Sequence, residues 1–179
     1  MNITEEHFRK TLGLFPTGVT VVTAFDEHGK DIGITISSFT SVSLNPAQIL
    51  FCLSKHSKTM PVFKELQYFA VNILNINQSH LSDGFAKHVP LEWEAVKTHR
   101  HPNTGCLLIS DALGYVVCEK SDMFEGGDHY IILGRVIDLF ATPYTPPLVR
   151  QRGQYLTTQP ILIEPSPLEI KEPKVCQKI

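Results

Sequence analysis

Apolar and polar residues alternate or run together along this chain in short blocks, most of them of strand length. Residues 4 to 14 are the exception: Phe8 and Leu12 lie one turn apart, Thr4 stands as a candidate N-cap and Glu5 and Glu6 fall in the first turn, which predicts an amphipathic helix. Thr17 to Phe25, rich in Val and Thr, reads as the first strand. Asp26 to Gly29 is a turn signal, with Ile32 to Ser37 returning as the hairpin partner. Ile49 to Ser54 is the next strand. A helix with an early proline, from about Pro61 to Gln67, separates it from the apolar run Tyr68 to Leu74.

Further along, Ser79 is positioned to cap a short helix that sets Leu81 and Phe85 on one face. His88 to Asn103, with Trp93, two prolines and many polar residues, makes a poor core segment and reads as a covering loop. Cys106–Ser110, Leu113–Lys120 and Tyr130–Phe140 are strand-like, connected by Asp111–Ala112 and Phe124–Asp128. Six or seven strands joined by short turns argue for an antiparallel barrel rather than a doubly wound sheet. Prolines at 143, 146, 147, 160, 165, 167 and 173 then change the texture of the chain. Ile161–Ile163 could add an edge strand. The expected division is one domain over residues 1–158 and a Pro-rich C-terminal extension over 159–179, its end an extended or mobile tail.

Composition narrows the function classes. With 179 residues, 42% hydrophobic and 19% charged, the chain suffices for one ordinary core. A net charge of −2 offers no broad basic field for nucleic acid or anionic lipid. The acidic start lacks the pattern of a secretory signal, and no apolar stretch approaches the roughly 20 residues of a membrane span, so a cytoplasmic protein without nucleic-acid or membrane partners is expected. Cys52, Cys106, Cys118 and Cys176 are widely spaced with no CxxC, which favours free thiols over disulfides.

Several familiar sites are missing from the sequence. There is no GxG, no GxxxxGK[ST] phosphate loop and no GxSxG elbow. His99 and His101, with His88 nearby, lack the HExxH spacing or paired cysteines of a metal site and read as solvated loop residues, so no metal is expected. What stands out is hydroxyl-rich sequence beside strands. Thr35 to Ser43 carries Ser or Thr at most positions, and SerLysHisSerLysThr at 54–59 adds two cations ahead of a predicted helix start. Hydroxyls, loop amides, a cation and a helix start suit a phosphate or the polar edge of a heterocycle. The same residues would also suit the solvent faces and turns of any β-rich protein.

The order FPTGVTVVTA, GITISSFTSVSLNPAQILFCLSKHSKTMPVF, FAVNIL, LSDGFAK and GDHYIILGRV resembles the flavin reductase family of FMN-binding split barrels, in particular the short-chain reductase components of two-component flavin monooxygenases. The resemblance spans roughly residues 5 to 157. It implies a mainly β fold, a six-stranded antiparallel Greek-key split barrel with flanking short helices, assembled as a homodimer with flavin near the subunit interface. It also implies an NAD(P)H:flavin oxidoreductase that reduces FMN or FAD for a partner monooxygenase. The alternatives are a flavoprotein with tightly bound FMN reducing a ferric chelate or corrinoid, a flavin-binding module without reductase activity, and a purely structural barrel.

By the same resemblance, Thr35, Ser37, Ser38 and Thr40 border the isoalloxazine, while Cys52, Leu53 and Ser54 lie against the ring and ribityl chain. Ser57, Lys58 and Thr59 form the phosphate turn, and Phe85, Ala86 and Lys87 a second flavin-contacting segment. His129 of GlyGlyAspHis falls on the nicotinamide side of the flavin, as the residue assigned to catalysis; a turn histidine paired with Asp128 is the structural alternative. Pro16, Thr17 and Gly18 shape the first strand, and Tyr155 matches a late family tyrosine.

Overall fold

The computed structural model describes residues 3–86, 91–142 and 145–160. Helix α1 spans Glu5–Leu12, strand β1 Thr17–Gly18, β2 Thr20–Phe25, β3 Asp31–Ile36, β4 Thr40–Leu44 and β5 Ala47–Ser54. Helix α2, Met60–Glu65, precedes β6, Tyr68–Ile73, and α3 spans Ser79–Ala86. Then come β7 Thr98–Arg100, β8 Leu107–Ile109, β9 Gly114–Gly126, β10 His129–Ala141, β11 Val149–Gln151 and β12 Gln154–Leu156. The C-terminal extension beyond Pro160, with the suggested edge strand Ile161–Ile163 and Cys176, lies outside the described residues.

The local signals explain most of these elements. The Thr4 hydroxyl accepts the His7 N–H at the start of α1, although Phe8 and Leu12 remain 56% and 54% exposed, so the apolar face of this helix is uncovered in the single chain. The Asp26 carboxylate accepts the N–H groups of His28 and Lys30, each at 2.9 Å, and closes the β2–β3 hairpin. The cap at Ser79 is displaced: Asn75 caps a single 3-10 turn, Ile76–Gln78, in a reciprocal box with Gln78, and that turn runs directly into α3. Leu81 and Phe85 do share the buried face.

The main sheet is antiparallel with order β3-β2-β6-β9-β10-β5-β4. It has seven strands where the resemblance implied six, because the hydroxyl-rich stretch after Phe39 forms β4 instead of a loop, paired with β5 from Thr40↔Leu50 to Leu44↔Ala47. Its residues are mostly exposed, so no alternation announces the strand. The predicted first strand also divides: β1 leaves the main sheet for a small one with β11 and β12. Phe124–Gly126, expected in a connection, continues β9 up to the turn at Gly127, whose φ of 66° suits glycine.

One core lies under the main sheet around Phe51, which meets Phe63 and Phe69 edge-to-face at 5.7 and 5.4 Å. Phe63 belongs to α2, and Lys120 of β9 donates its ammonium to the Phe63 and Lys64 carbonyls, fixing the end of that helix. A second cluster holds α3 through Leu81 and Phe85 against Val21, Leu74 and Ile109, with Trp93 and Tyr155 at its margin. Residues 91–103 therefore contribute more to packing than a covering loop would. His101 in particular is buried, not solvated: Thr104 N–H donates to its Nδ1, leaving Nε2 to face Asp138 at 3.1 Å. Cys106 and Cys118 are free core thiols, and burial pushes Cys118 up to about 12, so neither is a ready nucleophile. Among the described residues, no helix is long and apolar enough to cross a membrane.

Candidate functional site

A cavity of about 490 Å³ opens between β3, the turn leading into α2, the end of α3 and the segment carrying Trp93. Thr35, Ser57, Lys58, Thr59, Phe85 and Ala86 all line it. Segments as far apart in sequence as Thr35 and Ala86 thus share one cavity, whereas Ser37, Ser38, Thr40, Cys52, Leu53 and Ser54 are not among its lining residues. Lys87 lies outside the described residues.

The turn over Ser57–Thr59, which the resemblance assigns to the phosphate, is built locally. Ser57 N–H donates to the Ser54 carbonyl at 3.0 Å, and Met60 N–H to the Ser57 carbonyl at 3.0 Å. Ser57 Oγ and Thr59 Oγ1 lie 2.8 Å apart. One hydroxyl hydrogen serves that bond, so the other is free to donate into the cavity. The helix start itself offers less than expected: Met60 N–H is taken, residue 61 is proline, and Val62 and Phe63 both donate to the Thr59 carbonyl. The groups this turn can offer an anion are therefore the hydroxyl pair and Lys58, which is exposed and has no carboxylate partner among the described residues. The nearest carboxylate on the wall, Asp31, is neutralised by a two-pronged ion pair from Arg100 at 2.8 and 3.1 Å. Hydroxyl donors, an unpaired cation and aromatic walls fit a phosphate-bearing flavin.

The strand residues have other duties. Thr35 donates its hydroxyl to the Ser82 carbonyl at 2.7 Å, tying β3 to α3. Ser38 Oγ accepts the Cys52 N–H at 2.9 Å and donates to the Cys52 carbonyl at 3.2 Å, extending the edge of β5 where β4 has ended. Ser37 and Thr40 are exposed beside it. Along β5, Ile49, Phe51 and Leu53 face the core while Cys52 and Ser54 face outward. Leu53, 2% exposed, can meet a ligand only through its backbone.

His129 opens β10 directly across from Ser54 on β5, and Lys55 N–H donates to the Asp128 carbonyl at 2.9 Å. His129 thus stands over the same turn that leads to Ser57–Thr59, yet it lines a separate cavity of about 500 Å³ with Thr4, Glu5, Phe8 and Arg9 of α1. Its Nδ1 lies 2.8 Å from Asp128 Oδ1. The hydrogen bond from His129 holds the Asp128 carboxyl below its ordinary range. The pairing with Asp128, named from sequence as the structural alternative, fixes the ring and leaves Nε2 turned away from the carboxylate.

Sequence reasoning passed over Trp93, Asp31 and Arg100. Trp93 donates Nε1–H to the Asp31 carbonyl at 3.2 Å and packs on Phe85 with centroids 4.8 Å apart. A Cβ on Gly33 would sit 2.6 Å from the Phe85 ring, so that glycine is what lets the aromatic pair lie on β3. Trp93 gave a signal as the one tryptophan of the chain, but its polar surroundings hid it. Tyr155 does not line the cavity. Its hydroxyl holds α3 through Ser82 Oγ and Asp83 Oδ1, each at 2.8 Å. A larger cavity, about 600 Å³, lies between Phe25, Val62 and Tyr68 with Asp26, Glu27 and Glu65 at its rim, a charge pattern unsuited to a phosphate. No three His, Cys, Asp or Glu side chains among the described residues are grouped to hold a metal.

The flavin reductase like domain model matches residues 12–159. This chain belongs to that family. It is 42% identical over 149 residues to a probable flavin reductase of Rhizobium meliloti (strain 1021), across 83% of this chain and 47% of that protein. The chain therefore spans about half the length of that relative. It is 32% identical over 165 residues to HsaB, the reductase subunit of a flavin-dependent monooxygenase of Rhodococcus jostii (strain RHA1), across 92% of this chain and 84% of that one. Among solved structures it is similar to the NADH:FAD oxidoreductase SgcE6 of Streptomyces globisporus C-1027 in complex with NAD and FAD fragments, with a TM-score of 0.84 and 31% identity over 91% of this chain and all of that one.

Proposed function

We propose that this chain is an NAD(P)H:flavin oxidoreductase that reduces FMN or FAD and supplies the product to a monooxygenase component. The observation that carries the proposal is the convergence of Ser57, Lys58, Thr59 and Phe85 on one cavity, with His129 across from Ser54 at its neighbouring edge. The reductase-subunit role named for the Rhodococcus relative supports the monooxygenase partner.

The bound flavin supplies N5 as acceptor of the hydride from the nicotinamide C4, a step that needs ring stacking and no acid–base pair. The chain's residues bind and orient. Ser57, Thr59 and Lys58 hold the phosphate. The outward edge of β5 at Cys52–Ser54, with Ser37, Ser38 and Thr40 beside it, borders the ring through backbone and hydroxyl groups. Ser38 divides its hydroxyl between that role and the Cys52 backbone. Phe85 and Ala86 close the cavity wall. With Nδ1 of His129 paired to Asp128, Nε2 is the ring nitrogen left to meet the carboxamide of the nicotinamide.

The seven-stranded sheet, with β3 and β4 as its edges, is read as the Greek-key split barrel of the family over residues 1–158, with 159–179 as an extension. A homodimer is the proposed assembly, supported by Phe8, Phe15, Leu44, Phe124 and Leu139, each more than half exposed, which a partner subunit could cover. A cytoplasmic location is the proposed one, supported by the need for reduced nicotinamide and by the free Cys52, Cys106 and Cys118.

The test is NADH oxidation by the purified protein with and without added FMN or FAD. Turnover only with added flavin is the expected result. A yellow protein that needs a ferric chelate or corrinoid, or one inert to NADH, would replace the proposal. A colourless protein that neither binds nor reduces flavin would end it.

A further inference from the structure

The cavity lined by Ser57, Lys58 and Thr59 also takes in Lys30, Asp31 and Trp93. These three residues are not needed by a mononucleotide whose phosphate rests on Ser57, Lys58 and Thr59, and they have their own chemistry. Lys30 is exposed and has no carboxylate partner among the described residues. Asp31, the acid on the same wall, is already committed to Arg100, so it does not cancel the Lys30 charge. Trp93 is half-buried, with its indole N–H anchored on the Asp31 carbonyl and its ring braced against Phe85 and β3, a platform fixed before any ligand arrives.

A second cation followed by a rigid aromatic face is the complement of a second phosphate followed by a base. Resting on the flavin-reductase reading of this site, we propose that the part of the cavity lined by Lys30 and Trp93 is an adenosine phosphate subsite: Lys30 takes the second phosphate of FAD and Trp93 stacks its adenine, making this chain selective for FAD over FMN. The same adenosine diphosphate group occurs in the nicotinamide dinucleotides. Position decides between the two sources. The Lys30–Trp93 subsite is continuous with the flavin phosphate turn, whereas His129, on the nicotinamide side, opens into the other cavity beside α1.

The experiment measures the dissociation constants of FMN and FAD by flavin fluorescence for the wild-type protein, Trp93→Ala and Lys30→Gln, together with the KM for NADH. Stacking of one base, read by alanine substitution, is worth about 1–3 kcal/mol, which converts to about 5- to 150-fold in affinity. The wild-type protein is expected to bind FAD at least about fivefold more tightly than FMN, and both substitutions are expected to move that ratio toward one. Lys30 carries no tertiary side-chain bond, so Lys30→Gln keeps the test open should Trp93→Ala disturb Phe85. A wild-type ratio near one, or a ratio that neither substitution moves, overturns the subsite. A KM for NADH that rises in both variants with the flavin ratio intact assigns it to the nicotinamide dinucleotide and equally overturns the proposal. Failure of the wild-type protein to bind either flavin is a different result: it removes the flavin site itself.

Discussion

Replacing Lys58 by alanine isolates the phosphate term of flavin recognition. Lys58 lines the cavity beside the Ser57–Thr59 hydroxyl pair and has no carboxylate partner among the described residues, so its removal strands no buried charge. A hydrogen bond to a charged group contributes about 1.5–3 kcal/mol, and the exposure of Lys58 places it at the low end, near 1.5. A water-like estimate agrees: two unit charges 4 Å apart gain about 1 kcal/mol, and a phosphate monoester carries between one and two. The FMN dissociation constant should therefore rise about tenfold. Riboflavin, which has the same ring and no phosphate, should bind the variant and the wild-type protein alike. Fluorescence titration of both ligands reads the two effects separately. Equal weakening of riboflavin and FMN would refute the assignment, because it would mean that Lys58 supports the fold of the turn and not the phosphate.

His129→Ala is expected to raise the KM for NADH while flavin affinity is retained; full NADH-dependent turnover in that variant would remove His129 from the reaction. The Asp128 carboxyl is held below its ordinary range by His129, so the pair contributes above the unfolded carboxylate value and is lost as pH falls through the lowered one. An NMR titration should accordingly show the Asp128 carboxyl titrating below the ordinary aspartate range, and His129→Ala should return it toward that range; an unmoved Asp128 would refute the pairing. Gly33→Ala would place a methyl 2.6 Å from the Phe85 ring, an overpacking that costs about 1–3 kcal/mol and should lower Tm by about 2–12 °C; an unchanged Tm would show that Phe85 and Trp93 yield freely. Leu44 is 94% exposed, so Leu44→Asp should leave thermal stability of the subunit nearly untouched while shifting sedimentation from dimer to monomer. A wild-type monomer in the same run would refute the assembly.

The sequence made the chain order of the site legible and concealed its division of labour. Buried strands such as β2 and β6 are visible because both faces are apolar, and β5 because its core-facing residues alternate. The edge strand β4 is not, since its pairing depends on backbone groups and its side chains are hydroxyls in solvent. Of the histidines expected in solvent, His99 is exposed, His88 lies outside the described residues and His101 alone was misjudged, for the opposite reason. His101 sits in a polar stretch, but Thr104, three residues on, and Asp138, from a strand far along the chain, satisfy both ring nitrogens and let it be buried.

The hydroxyls carry the more general lesson. Thr35, Ser38, Ser57 and Thr59 look equivalent in sequence, yet Thr35 is bonded to α3 and Ser38 to β5, while the Ser57–Thr59 pair retains a hydrogen for a ligand. That difference is tertiary: it depends on which backbone groups each strand end leaves unpaired when β4 stops short of Cys52 and α3 settles on β3. The residues that free the cavity of negative charge and wall it with an aromatic face, Arg100 and Trp93, come from a segment whose composition suggested only a cover. A hydroxyl-rich motif thus points to the proposed phosphate site, and the ion pair and glycine behind it determine whether the space it borders is large enough and positive enough to accept one.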